Sequence, residues 1–139
     1  MAGEEHKAVV RRHLEDLINN GRFERAEQIL EPDYLNHTAG GGIGTGREAY
    51  VAGLKALRTA FPDWHVDIQE MIVEGDIVCD RLTVHATHSG QGAGIPPTGE
   101  EMAGDVMHMW RIANGRLAEG WYFGTPDVMQ RLFSAISPR

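Results

Sequence analysis

The sequence carries seven histidines, and an unperturbed imidazole titrates near ~6.5 and can exchange a proton at neutral pH. His108 is the most informative of them. It lies in Val106-Met107-His108-Met109-Trp110, an apolar run facing a second such run, Arg116 to Phe123, across Asn114-Gly115. If Ala113, Asn114 and Gly115 form a three-residue loop, Ile112 pairs with Arg116 and His108 lies opposite Gly120. Tyr122 is then diagonal to His108, on a face shared with Val106, Trp110 and Ala118. A two-residue loop would shift the pairing by one and part His108 from Tyr122. His108 reads either as a core histidine satisfied by a neighbour or as a general acid or base, and spacing leaves both open. Tyr34-Leu35-Asn36 poses the same choice: asparagine bonds nearby backbone in turns, and it can also hold a substrate carbonyl.

The other histidines offer less. His85 and His88 are three apart on a strand and point to opposite faces, so no metal site is expected from them. His6 and His13, seven apart on the first helix, are expected to be solvated. No Gly-x-Ser-x-Gly, phosphate loop or His-Glu-x-x-His occurs. Gly40 to Gly46 lacks the Lys-Ser/Thr ending of a phosphate cradle and reads as a loop.

These residues need elements to position them. Val10, Leu14, Leu17 and Ile18 recur at helical spacing between Glu5 and Asn20, and Asn19-Asn20-Gly21 stops that helix. A short helix over Arg22 to Leu30 precedes Pro32. Thr45 and Glu48 have capping-box spacing, with Tyr50, Leu54, Leu57 and Phe61 continuing the helix to Pro62. Beyond Pro62 the period shortens to two, with Glu74-Gly75-Asp76 and Asn114-Gly115 as hairpin turns. A last helix is expected over Asp127 to Ile136. The sum is an α+β domain of three N-terminal helices on an antiparallel sheet of about four long strands, and a sheet that curls around its helices can enclose a pocket.

Length and composition fit one domain over residues 1–139, with 42% hydrophobic and 24% charged residues. Lys and Arg number 13 against 20 Asp and Glu, a formal net charge of −7 that argues against nucleic-acid partners. No run reaches the ~20 apolar residues of a membrane span, and the N-terminal residues do not resemble a secretory signal. The single Cys79 cannot form an internal disulfide. A cytoplasmic protein is expected. The 17 glycines concentrate in Gly40 to Gly46 and Gly90 to Gly99, and the apolar strip Met107, Met109, Trp121 and Phe123 suggests packing against a helix or a second subunit.

Three stretches in order resemble the SnoaL-like polyketide cyclases of the NTF2-like superfamily: Asp33-Tyr34-Leu35-Asn36 followed by Gly44-Thr45-Gly46; Gly94-Ile95-Pro96-Pro97-Thr98; and His108-Met109-Trp110-Arg111-Ile112 followed by Gly115. The resemblance implies a cone-shaped fold around a hydrophobic pocket, a homodimer or higher homo-oligomer formed through the sheet, and cofactor-free aldol ring closure of a hydrophobic carbonyl compound. It assigns Asn36 and His108 to the pocket, and it puts the family's acid/base aspartate at the position held by Tyr122. Proton transfer would then rest on His108, with Asp105 or Asp127 as substitutes and Tyr122 as a hydroxyl donor. Tyr34, His37, Arg81, His88 and Trp110 are the expected substrate contacts. A limonene epoxide hydrolase likeness covers Tyr34, Asn36 and Arg81, but Thr83 replaces one of its aspartates and the last strand lacks the other. The loss of the aspartate also leaves a binding protein that keeps the pocket without catalysis.

Overall fold

The computed structural model describes residues 2–37, 43–91 and 96–124. The expected helix over Asp127 to Ile136, Asp127 itself, and the glycine-rich stretches 38–42 and 92–95 lie outside the described residues.

Helix α1 (Ala2–Arg12) continues as a π-helical stretch over His13–Asn19. It buries Val9, Val10, Leu14 and Leu17, as the helical spacing requires. Asn20 N–H bonds back to the Glu15 carbonyl, and Gly21 ends the element at φ 63°, a conformation glycine adopts without cost. The next segment is shorter than its sequence suggests. A single 3-10 turn leads into α2 (Ala26–Ile29), and strand β1 (Leu30–His37) begins at once. Strand β2 (Ile43–Thr45) then runs into α3 (Arg47–Ala60). The expected Thr45-Glu48 capping box does not form: Gly46 is the cap residue, at φ 100°, and no side chain bonds the free amides.

Strands β3 (His65–Glu74), β4 (Ile77–Thr87), β5 (Glu101–Ala113) and β6 (Arg116–Gly124) complete a six-stranded sheet in the order β2-β1-β6-β5-β4-β3. The sheet is mixed rather than antiparallel throughout, because β1 joins β6 in parallel. Its inner face packs beneath the helices. Val78, Leu82, Val106, Trp110, Ile112 and Leu117 form the core there with Val10, Leu14, Leu17 and Phe61. Each such fully buried side chain contributes roughly 1.5–3 kcal/mol of transfer free energy.

The β5–β6 hairpin sets the geometry of the site, and its register departs from the expected one. Asn114 and Gly115, both at positive φ (54° and 74°), form a two-residue turn, and Ala113 pairs with Arg116. Continued unbroken, that register would part His108 from Tyr122. A bulge intervenes: Arg111 pairs with Glu119 and Ile112 with Leu117, which leaves Ala118 as the extra residue. The bulge moves all later pairs by one, and His108 comes to lie directly opposite Tyr122.

Candidate active site

A cavity of about 350 Å³ lies between the inner sheet face and the helices, lined mainly by apolar side chains such as Leu14, Leu17, Leu54, Val84 and Val106. That volume falls in the range of sites that enclose a drug-sized ligand. His13, Tyr50 and Arg58 line it from the helical side, and the polar groups that the sheet places at or behind its wall lie on two neighbouring rows. One row runs Tyr122 (β6), His108 (β5), Asp80 (β4). The other runs Asn36 (β1), Gly120 (β6), Trp110 (β5), Val78 (β4). Side chains two residues apart on one strand share a face, so both rows point inward together.

Asp80 is the residue that sequence reasoning missed. Its side chain is fully buried and accepts three hydrogen bonds. Oδ1 takes the His108 backbone N–H and His108 Nδ1–H, each at 3.0 Å, and Oδ2 takes Trp110 Nε1–H at 2.8 Å. A carboxylate accepts and cannot donate, so Nδ1 carries the proton and the lone pair of the neutral ring stays on Nε2. The signal was present in the sequence: Val78, Asp80, Leu82 and Val84 alternate along β4, which puts a carboxylate on a buried face. A buried carboxylate requires such partners.

The tyrosines around this pair are held neutral. Burial pushes the Tyr122 hydroxyl up to about 12, and its ring meets His108 edge to face at 5.1 Å. Burial, aided by the neighbouring Tyr50, drives Tyr34 well above the ordinary phenol range. The Tyr34 and Tyr122 hydroxyls are both buried, with no hydrogen-bond partner among the described residues. Tyr50, itself raised by burial, bonds His13 Nε2 at 2.8 Å. His13, expected to be solvated, is instead 1% exposed, between Tyr50 and Trp110. Burial first, and the nearby His108 charge second, lower its pKa to about 3.

Of the expected site residues, Asn36, His108, Trp110 and Tyr122 line the cavity. Tyr34 lies behind that wall, fully buried, its ring 4.7 Å from that of Tyr50. His37 does not join them. It is adjacent to Asn36 on a strand and so points to the outer sheet face, where it bonds Glu119 at 2.6 Å and stacks on Trp121. Arg81 is on that outer face too, for the same reason, bonded to Glu70 at 2.6 Å, which removes the arginine an epoxide-hydrolase reading requires. His88 is buried beyond the end of β4 against Phe61 and Thr98 rather than on the cavity wall. Asp105 is exposed on the outer face opposite Thr83. Arg58, not singled out from sequence, lines the cavity while its guanidinium holds the Ile18 and Asn19 carbonyls.

A helix-covered open sheet with an apolar cavity and an imidazole–carboxylate pair on its wall defines an α+β protein of the NTF2-like class. The model of the SnoaL-like polyketide cyclase family matches residues 8–130, and the chain belongs to that family. It is 31% identical over 105 residues to the nogalonic acid methyl ester cyclase of Streptomyces nogalater, covering 73% of this chain and 78% of that one. It is 30% identical over 121 residues to the aklanonic acid methyl ester cyclase DnrD of Streptomyces peucetius, covering 82% of this chain and 83% of that one. The structure of a SnoaL-like protein from Jannaschia sp. CCS1 superposes with a TM-score of 0.84 at 20% identity, covering 99% of this chain and 95% of that one. No helix among the described residues is long and apolar enough to cross a membrane.

Proposed function

We propose that this protein closes a ring in an aromatic polyketide by intramolecular aldol addition, with His108 as general base and the Tyr122 hydroxyl as donor to the developing oxyanion. The observation that carries the reading is the buried Asp80 carboxylate bonded to His108 Nδ1. It fixes the tautomer whose Nε2 can take a proton from a carbon flanked by carbonyls. The enolate carbon then bonds to the accepting carbonyl carbon, whose π pair becomes an alkoxide. The proton held on His108 returns to that oxygen. Substrate and product are isomers, so the balance needs no oxidant, reductant or group donor.

The environment supports each step. The lining is mainly apolar, and hydrogen bonds to the reacting oxygens are stronger in such surroundings than in water. A phenol held near 12 stays protonated at neutral pH, so Tyr122 donates. Asn36, on the adjacent row, can hold a second carbonyl through its amide. Methyl ester cyclases among the relatives support a methyl ester of a polyketide acid as the substrate class.

The test is turnover of nogalonic and aklanonic acid methyl esters by the wild type, His108→Ala and Asp80→Asn. Loss of the base should lower kcat by roughly 10²–10⁴-fold. Asp80→Asn keeps the shape but can offer an N–H where an acceptor is needed, and it should lower kcat with little change in KM. Unchanged turnover in either variant overturns the assignment. A second reading, a pocket protein without catalysis, rests on Tyr122 standing where the family's aspartate is expected. It would be favoured if only Tyr122→Asp turned over these esters.

An oligomer formed through the outer sheet face is part of the same proposal. Ile72, Cys79, Met109, Trp121 and His37 form one row across that face, with Met107 and Phe123 on the next. Ile72, Met107 and Phe123 are 66%, 49% and 54% exposed on this face, apolar side chains that a partner surface would cover.

A further inference from the structure

A second constellation lies on the opposite side of the sheet from the cavity and takes no part in the chemistry above. His65 on β3 pairs directly with His85 on β4, and Asp67, two residues along β3, shares their outward face. The two imidazoles are 5.3 Å apart between centroids, and His65 Nε2 is 3.1 Å from Asp67 Oδ1. One ligand atom from each of the three residues lies within 4.8 Å of the others. Tetrahedral zinc with bonds of ~2.0–2.1 Å needs donors about 3.4 Å apart, a distance that small side-chain rotations supply. The backbone is already in place, since antiparallel pairing fixes the two Cα positions and a single strand fixes the third.

We propose that His65, His85 and Asp67 form a mononuclear site for a borderline divalent transition-metal ion such as Zn²⁺. Two imidazoles and one carboxylate are the donor set such ions prefer, whereas Mg²⁺ and Ca²⁺ favour all-oxygen cages. Three protein donors leave a fourth position for water or an exogenous ligand. The site joins the edge strand β3 to β4, so an ion bound there ties down the margin of the sheet and stabilises the native state by mass action. The local spacing of histidines does not reveal it: His85 and His88 are the sequence neighbours, but the partner of His85 is twenty residues upstream, across the hairpin.

Titration calorimetry of the chelator-treated full chain with ZnCl₂ tests this, with MgCl₂ as a second titrant. The expected result is one Zn²⁺ per chain at micromolar affinity, a rise in melting temperature with added zinc, and no response to Mg²⁺. His65→Ala and His85→Ala should each weaken binding about tenfold or more, since even loss of an outer partner of a ligand costs that much. All three side chains are at the surface, so the variants should retain the wild-type circular dichroism. Absence of zinc binding in the wild type overturns the proposal. So does wild-type affinity in the His65→Ala/His85→Ala double variant, which would assign the ion to other histidines.

Discussion

His13 should make the protein acid-sensitive in a way that replacing this one side chain removes. Native His13 stays neutral down to about pH 3 because it is buried against Trp110 and Tyr50, while in the unfolded chain it takes a proton near the ordinary imidazole value of ~6.5. Between those two values the unfolded state binds the extra proton, so stability falls as pH falls. Each pH unit in that window costs about 1.4 kcal/mol, so the loss from this group reaches about 2 kcal/mol at about pH 5. His13→Gln does not titrate, and its amide keeps the capacity to hydrogen-bond. At about pH 8 the variant should be less stable than the wild type by roughly 1–3 kcal/mol, through lost aromatic contact and imperfect bonding. At about pH 5 that deficit should shrink by about 2 kcal/mol and vanish or reverse. Urea unfolding of both proteins across this range gives the difference directly, and groups such as Glu119 and Asp63 cancel because both proteins carry them. A stability difference that does not change with pH would refute the reasoning, and would mean that native His13 is protonated where burial should keep it neutral.

Three further outcomes are expected. Tyr122→Phe removes only the buried hydroxyl, and should lower kcat by roughly 10²-fold or more, as loss of one oxyanion donor does, with an unchanged kcat excluding that role. Gly120→Ala would put a methyl group within 2.7 Å of two Trp110 ring carbons and against the Tyr34 hydroxyl; overpacking of this kind should destabilise the fold by roughly 1–3 kcal/mol in thermal or urea unfolding. Met107→Glu with Phe123→Glu should shift a sedimenting dimer to monomer without loss of fold, and a wild type that sediments only as a monomer at micromolar concentration would remove the outer face as an interface.

The parts legible in the sequence are those fixed by short-range pattern. The buried face of α1 and the two hairpin turns follow from helical spacing and from glycine at positive φ. Strand β1 was not legible as a strand, because its partner β6 is some eighty residues away and pairs with it in parallel. Assigning His37 to the pocket beside Asn36 overlooked the alternation of a strand, which sends adjacent side chains to opposite faces. His13 was misread although Val9, His13 and Leu17 recur every fourth residue, the spacing of one helical face. The two errors run in opposite directions: the helical period assigns His13 to the interior despite its polarity, and the strand period assigns His37 to the outer face despite its neighbour Asn36.

The relation between His108 and Tyr122 rests on the same kind of reasoning, carried one step further. Two one-residue shifts in the same direction separate the observed register from the expected one: the turn has two residues rather than three, and a bulge at Ala118 adds a second shift that returns Tyr122 to the face of His108, directly opposite rather than diagonal. The bulge therefore determines the site as well as the bend of the strand, since without it Trp121 rather than Tyr122 would stand opposite His108. On the proposed reading it also accounts for a base in a chain without a carboxylate at position 122. With Tyr122 directly opposite His108, and Asp80 directly opposite it on the other side, a single ladder row holds a phenol, an imidazole and the carboxylate that the imidazole bonds. An aspartate on β6 would touch substrate and take the proton itself. Asp80 lies behind the imidazole and works through it, so the negative charge moves from the cavity wall into the sheet, where three hydrogen bonds satisfy it. The wall is left with an imidazole and a neutral phenol, a pairing suited to generating an enolate in an apolar cavity without setting a fixed anion beside it.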